Sequence, residues 1–259
     1  MAGFLLFSPA VMMNAKVVGL IPARWGSSRF PGKPLHPILG KPLVQHVWER
    51  VSLCSRLDAA AIATDDERIR AAAEAFGAAA IMTRSDHPSG SDRLAEAVRH
   101  FPGAEIVVNI QGDEPLIDPK LIDQLVDEMT GSPSLKMATA ACPLENPSLG
   151  GDFGDKNVVK VVLSLSRDAL YFSRSPVPFA RNARKSPVYR HLGIYAYRRD
   201  FLEQYVSWAP TPLETTESLE QLRALEHGVR IRVVLTQHVA PGVDTPEQAE
   251  LIGKLLSAS

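Results

Sequence analysis

The chain of 259 residues carries 28 basic and 29 acidic side chains, so it lacks the bulk basic field that holds nucleic acid. That length buries a sizeable core, enough for one large α/β domain or for a domain with an insertion. Its two cysteines, Cys54 and Cys142, share no C-x-x-C spacing and read as thiols of a reduced, cytoplasmic protein, and no apolar run reaches the roughly 18 residues of a membrane span.

Residues 1–13 are expected to form a disordered extension. Ala2–Val11 is apolar but short, without the basic lead of a signal peptide, and Met12 and Met13 are alternative starts just before the first strand. Val17–Ile21 then reads as a buried strand. Pro42 opens a helix with Leu43, Val47 and Val51 on one face. Ala59–Ala63 is a second strand, ending in Thr64-Asp65-Asp66, a helix-capping signal. The helix Glu67–Phe76 stops at Gly77. Ala79–Met82 is a short strand, Asp92–His100 a helix and Ile106–Ile110 an apolar strand. This alternation predicts a mostly parallel sheet covered on both faces, with ligands at the carboxyl ends of its strands.

The second half changes texture. Met137–Ala141, Val158–Leu163 and Gly193–Tyr197 read as strands, with the glycine-rich Gly150–Gly154 between the first two. Ser175–Pro178 and the basic run Arg181–Lys185 read as an exposed excursion. Pro212–Glu226 places Leu219, Leu222 and Leu225 at helical spacing, Val229–Leu235 is a strand, and Pro246–Leu256 closes the chain as a helix.

Chemistry concentrates just after the strands. The loop Pro22–Leu35, with two glycines, two serines, two arginines and a lysine, can hold polyphosphate: glycines admit backbone N–H groups to an anion, and Arg24, Arg29 and Lys33 neutralise it. Its spacing matches neither a Walker A loop nor G-x-G-x-x-G, and an ordinary exposed basic loop is the alternative. Arg24, Arg84 and Asp113 all follow expected strands, so they can converge. Asp113, in Gln111-Gly-Asp-Glu-Pro115, suits a hard cation beside phosphates or a simple turn; Asp244 suits a cap for the last helix as well as a metal. The turn Ser89-Gly90-Ser91 can read a base edge. Arg174 can fork a carboxylate. His191 and Tyr195 share a face of an extended segment, and Glu220 and Gln221 can bond sugar hydroxyls or simply face solvent on a helix. No histidine pattern such as H-E-x-x-H and no G-x-S-x-G supports a metalloprotease or a hydrolase.

Seven stretches in register resemble one family: Pro22–Leu35, Met82–Arg93, Asn109–Pro115, Tyr171–Arg174, His191–Tyr197, Leu219–Arg223 and Gly242–Pro246. Their order and spacing, from about residue 16 to the end, are similar to the sugar-activating nucleotidyltransferases, most closely the 3-deoxy-manno-octulosonate cytidylyltransferases. The resemblance implies an α/β fold with a mostly parallel, Rossmann-like sheet, helices on both faces and a smaller β-rich insertion. It also implies a single domain over 14–259, with the insertion around 150–195 used in a homodimer. The implied activity joins CMP from CTP to 3-deoxy-manno-octulosonate, releases pyrophosphate and feeds lipopolysaccharide synthesis. The resemblance assigns Ala23, Arg24, Arg29, Lys33, Arg84, Ser89 and Gly90 to the nucleotide, with Arg24, Arg29, Lys33 and Asp113 catalytic. It assigns Asp113 and Asp244 to Mg²⁺, and Gln111, Arg174, His191, Tyr195, Glu220 and Gln221 to the acid sugar. It calls for neither nucleic acid nor membrane. The alternatives are a cytidylyltransferase for another acid sugar, such as a sialate or an 8-amino octulosonate, and a non-catalytic nucleotide-binding protein.

Overall fold

The computed structural model describes residues 9–26, 30–144, 153–182, 185–238 and 241–257. The chain forms two compact units, Met1–Val126 with Ala240–Ser259, and Asp127–Val239. One domain with an insertion over 150–195 is the expectation above; the second unit begins earlier and ends later than that insertion. Of the expected extension, residues 1–8 lie outside the described residues, while Pro9–Asn14 form a helix, α1.

The first unit continues with β1 (Val17–Ala23), the two-stranded hairpin of β2 (Pro37–Ile38) and β3 (Lys41–Pro42), and α2 (Leu43–Val51). β4 (Ala59–Thr64), α3 (Glu67–Ala75), β5 (Ala80–Met82), α4 (Gly90–Ala97), β6 (Ile106–Asn109) and α5 (Pro119–Gly131) follow. Every residue of β4 and β6 is buried, which is why they read as unbroken apolar runs: parallel strands covered on both faces have no solvent side to alternate with. Asp66 caps α3 as its sequence suggests, accepting a hydrogen bond from Arg68 N at 2.9 Å. α5 is unassigned in the sequence reading, although Leu121, Ile122, Leu125, Val126 and Met129 form a buried stripe at helical spacing.

Within this unit the strand order is β6-β1-β4-β5, all parallel. The chain moves outward from β1 through β4 to β5, then returns to pair β6 on the other side of β1. Right-handed crossovers therefore place α2 and α3 on one face and α4 on the other. The order reverses between β1 and β6, so the loops leaving those two strands diverge and open a crevice at their carboxyl ends.

The second unit holds β7 (Met137–Pro143), β8 (Lys160–Leu163), β9 (Ala169–Ser173), β10 (Tyr189–Arg198), α6 (Arg199–Ser207), α7 (Pro212–Glu217), α8 (Gln221–Glu226) and β11 (Ile231–Leu235). β7 lies between β11, parallel to it, and β10, antiparallel; β8 pairs antiparallel with both β10 and β9. These supply the β-rich part of the fold. The glycine-rich stretch Gly150–Gly154 and the basic run Arg181–Lys185 lie partly outside the described residues; Arg181, Asn182 and Lys185 are exposed.

The single helix expected over Pro212–Glu226 is corrected to two. Ser218 adopts φ 52°, ψ 51° between α7 and α8. The carbonyls that would continue α7 are taken instead by Arg174, whose Nε donates to Glu217 O at 2.7 Å and Nη2 to Ser218 O at 3.2 Å. Leucine periodicity alone could not register that competitor. The chain closes in the first unit with α9 (Pro246–Ser257).

Gly112, just past β6, is required by close approach. A Cβ there would lie 2.7 Å from the carbonyl oxygen of Pro22 at the end of β1. Gly112→Ala must push the two strand ends apart, and the melting temperature followed by circular dichroism is expected to fall by about 3–10 °C. An unchanged melting temperature would show that this approach carries no structural weight.

Candidate active site

The loop after β1 curls on backbone bonds. Gly32 N donates to Trp25 O at 3.1 Å, Lys33 N to Phe30 O at 3.2 Å, and Leu35 N to Gly32 O at 2.9 Å. Gly32 takes φ 72°, and a Cβ there would meet the Trp25 ring at 2.9 Å. The Arg68 guanidinium lies over the same ring at 3.4 Å. This clamp delivers Lys33 to the crevice. Ser27, Ser28 and Arg29 lie outside the described residues, so of the three cations expected here the structure describes Arg24 and Lys33.

Lys33 Nζ donates to Asp113 Oδ2 at 2.6 Å and to Asp244 Oδ1 at 3.3 Å. These residues stand 80 and 211 positions from Lys33, so tertiary structure makes the meeting. Val243 N donates to Asp113 O at 2.9 Å, seating the last segment against the turn after β6. An apolar cluster of Phe30, Ile38, Leu43, Val243, Ala249 and Ile252 ties the Lys33 loop, the hairpin, α2 and α9 together. The capping read for Asp244 is carried out by its neighbours. Gln248 N donates to Thr245 Oγ1 at 3.4 Å, and Gln248 Oε1 accepts from Thr245 N at 3.1 Å and Asp244 N at 2.6 Å. The Asp244 carboxylate is thereby directed to Lys33.

A cavity of about 330 Å³ opens here. Its wall contains Ala23, Arg24, Lys33, Ser89, Gly90, Gln111, Asp113 and Asp244, all assigned above to a site. Ser89 caps α4 and, with Gly90, places the N-terminal end of that helix in the wall. Arg84 stands outside that wall: its side chain is 68 % exposed, and its Nε pairs with Asp86 Oδ1 at 3.2 Å. Strand-end position predicted proximity, but the chain turns Arg84 outward after β5. Arg93 takes the inner place. It is buried, lines the cavity, and donates to Thr83 Oγ1 at 2.5 Å and Asp65 Oδ2 at 2.8 Å. The sequence signal was an arginine on the apolar face of a helix, which must find a partner or face a ligand.

The remaining assigned residues belong to the second unit. His191 and Tyr195 do share a face of β10, their ring centroids 5.5 Å apart, with Phe172 4.9 Å from His191. Burial lowers the His191 pKa from 6.5 to about 3, so the ring is neutral at physiological pH. Arg174 does not present an open fork. Its Nε, Nη1 and Nη2 each donate to a backbone carbonyl, of Glu217, Lys156 and Ser218 respectively. The Glu220 carbonyl accepts from Tyr205 Oη at 2.6 Å. Gln221 is buried, and its Nε2 has no hydrogen-bond partner among the described residues.

The sequence model of the cytidylyltransferase family matches residues 18–231. This chain belongs to that family. It is similar to the 3-deoxy-manno-octulosonate cytidylyltransferase of Solibacter usitatus, 51 % identical over 95 % of this chain and 97 % of the relative. The enzyme of the same name from Syntrophobacter fumaroxidans is 51 % identical over 93 % of this chain and 97 % of its own. Among solved structures it is similar to a CMP:2-keto-3-deoxy-manno-octonic acid synthetase complexed with CTP, with TM-score 0.89 and 45 % identity over 94 % of this chain and 99 % of that one. In a cytidylyltransferase the crevice between β1 and β6, lined by cations, backbone N–H groups and two carboxylates, suits a nucleoside triphosphate.

The state of His191 has a measurable consequence. Between pH 6.5 and about 3 the unfolded chain takes up a proton that the folded chain refuses, so stability falls as pH drops through that window. His191→Gln is expected to lose less stability than the parent between about pH 7 and about pH 4, as read by urea unfolding at each pH. Equal losses would show that His191 titrates normally in the folded chain.

Proposed function

We propose that this cytidylyltransferase transfers CMP from CTP to 3-deoxy-D-manno-octulosonate, releasing pyrophosphate and activating the sugar for lipopolysaccharide synthesis. The observation that carries the reading is the Lys33–Asp113–Asp244 constellation at the crevice, in a chain about half identical over nearly its whole length to enzymes named for this reaction. The sugar's anomeric hydroxyl attacks the α-phosphorus; an O–P bond forms as the bond to the departing pyrophosphate breaks, and the hydroxyl proton passes to solvent. Negative charge shifts toward the leaving group, so positioned cations carry most of the rate. Arg24 and Lys33 supply that charge from the wall, and we assign Arg29 to the same task.

Asp113 and Asp244 fit a Mg²⁺ ion. Two carboxylates from separate segments already converge on one cation, the Lys33 ammonium, and both are partly exposed toward the cavity, as an ion shared with phosphates requires. When bound there, Mg²⁺ neutralises phosphate charge and acidifies a coordinated hydroxyl. In the second unit, the neutral His191 ring, Tyr195 and Gln221 Nε2, which has no partner among the described residues, offer hydrogen bonds to the sugar. Glu220 completes that assignment in the second unit, and Gln111 is assigned to the sugar from the crevice wall of the first. No helix among the described residues is long and apolar enough to cross a membrane; we assign the action of the chain to the cytoplasm. Self-association belongs to the same proposal: Leu165, Leu170 and Phe179 of the second unit are exposed apolar side chains, and sedimentation analysis of the purified chain checks it.

Pyrophosphate release from CTP with a panel of acid sugars tests the substrate; comparable turnover of a sialate would overturn the assignment. Asp113→Asn is expected to retain the parent's circular dichroism spectrum while turnover with Mg²⁺ falls by about two orders of magnitude or more. Near-parental turnover would remove Asp113 from the metal site.

A further inference from the structure

Thr139, in the centre of β7, is completely buried. Its neighbour β10 carries an irregularity at this point. His191 pairs with Ala141 and Leu192 with Ala140, but the next partner, of Thr139, is Tyr195. Gly193 and Ile194 are therefore extra residues, and the bulge turns local backbone carbonyls off the ladder. The Thr139 hydroxyl stands among them, with Oγ1 2.7 Å from Ile194 O, 3.3 Å from Leu192 O and 3.0 Å from His191 Nε2.

Hydrogen counting settles the direction of each contact. A carbonyl oxygen only accepts, and a hydroxyl has one hydrogen. That hydrogen goes to Ile194 O, the nearest carbonyl. Toward His191 the hydroxyl has only lone pairs left, so Nε2 must carry the proton. In a neutral imidazole the other nitrogen is then the acceptor.

We propose that Thr139 is a positioning residue that holds His191 in the Nε2–H tautomer, so that Nδ1 accepts a hydrogen bond from a hydroxyl of the acid sugar. The last step rests on the sugar-binding role given to His191 above; the tautomer does not. The bulge thus has a function: it supplies the carbonyl that orients the threonine, which orients the histidine. A valine of the same shape would fill the same space and take the hydroxyl away from both Nε2–H and Ile194 O.

Three chains test this: the parent, Thr139→Ser and Thr139→Val. Nitrogen-15 NMR of histidine-labelled protein, with His191 assigned by its loss in His191→Gln, reads the tautomer directly. The parent and Thr139→Ser are expected to show a protonated Nε2 and a bare Nδ1, and Thr139→Val a mixture. In steady state, Thr139→Val should lower kcat/KM for the sugar by about tenfold with the KM for CTP unchanged, and Thr139→Ser should recover it to within about twofold. A parental His191 protonated on Nδ1 overturns the proposal, as does a serine variant no better than valine. If Thr139→Val fails to fold, the parental tautomer and the serine variant still decide. If the parent releases no pyrophosphate with 3-deoxy-manno-octulosonate, the functional reading fails, and the NMR result still decides the tautomer.

Discussion

One ammonium group holds the site of this molecule together. Lys33 Nζ lies 2.6 Å from Asp113 and 3.3 Å from Asp244, and without it two carboxylates would face each other across a small crevice. Like charges at that range are unfavourable unless a cation intervenes. The shorter contact is the stronger, because Lys33 is 14 % exposed and Asp113 31 %, whereas Asp244 is 44 % exposed and more screened by solvent. The charges are brought together by groups that carry none. Phe30 and Val243 pack in one apolar cluster with residues of the β2–β3 hairpin, α2 and α9. Burial of that cluster does the positioning, and the ion pairs exploit it. The same arrangement keeps two carboxylates in a place suited to a divalent ion and phosphates.

The second unit builds precision with buried hydrogen bonds. Lys160, completely buried, donates to the carbonyls of Asp155 at 2.9 Å, Val158 at 2.6 Å and Arg174 at 2.5 Å. Burial depresses its pKa, opposed by the charges of Asp155 and Glu217. Arg174 in turn holds the end of α7, and Ser173 Oγ donates to Glu217 Oε1 at 2.6 Å. Glu214 on α7 and Arg223 on α8 form a buried bidentate pair, with Nε–Oε2 2.8 Å and Nη2–Oε1 2.5 Å. Such a pair costs several kcal/mol when one partner is removed, because the other is left charged in a dry place. Its effect here is to lock the break between the two short helices, which sets where Glu220 and Gln221 stand.

The two units use different means for the same end. In the first, parallel strands end together and their loops diverge where the order reverses, so the crevice follows from topology. In the second, an irregular strand and an interrupted helix place polar side chains that regular elements would not have placed. Backbone irregularity needs satisfied carbonyls, and Thr139, Lys160 and Arg174 supply the donors.

The sequence by itself determined the elements whose signal is local. Buried parallel strands announce themselves as apolar runs, Asp66 as a cap and Gly77, at φ 81°, as a stop, because a few neighbouring residues decide those features. It also marked Lys33 through the composition of its loop and Asp113 through its place after a strand, while the pairing of Asp113 with Asp244 came through resemblance rather than spacing. Only tertiary structure decided that they meet, because contact between residues 80 and 211 positions apart depends on how apolar surfaces pack. The same holds for the place of Arg93 in the cavity wall and the outward turn of Arg84, since strand ends specify position and not side-chain direction. It holds for the broken helix at Ser218, where a distant arginine takes the carbonyls that helical periodicity had assigned to the next turn. Local propensity is written in consecutive residues; competition for a backbone carbonyl is settled by whichever donor the fold brings nearest.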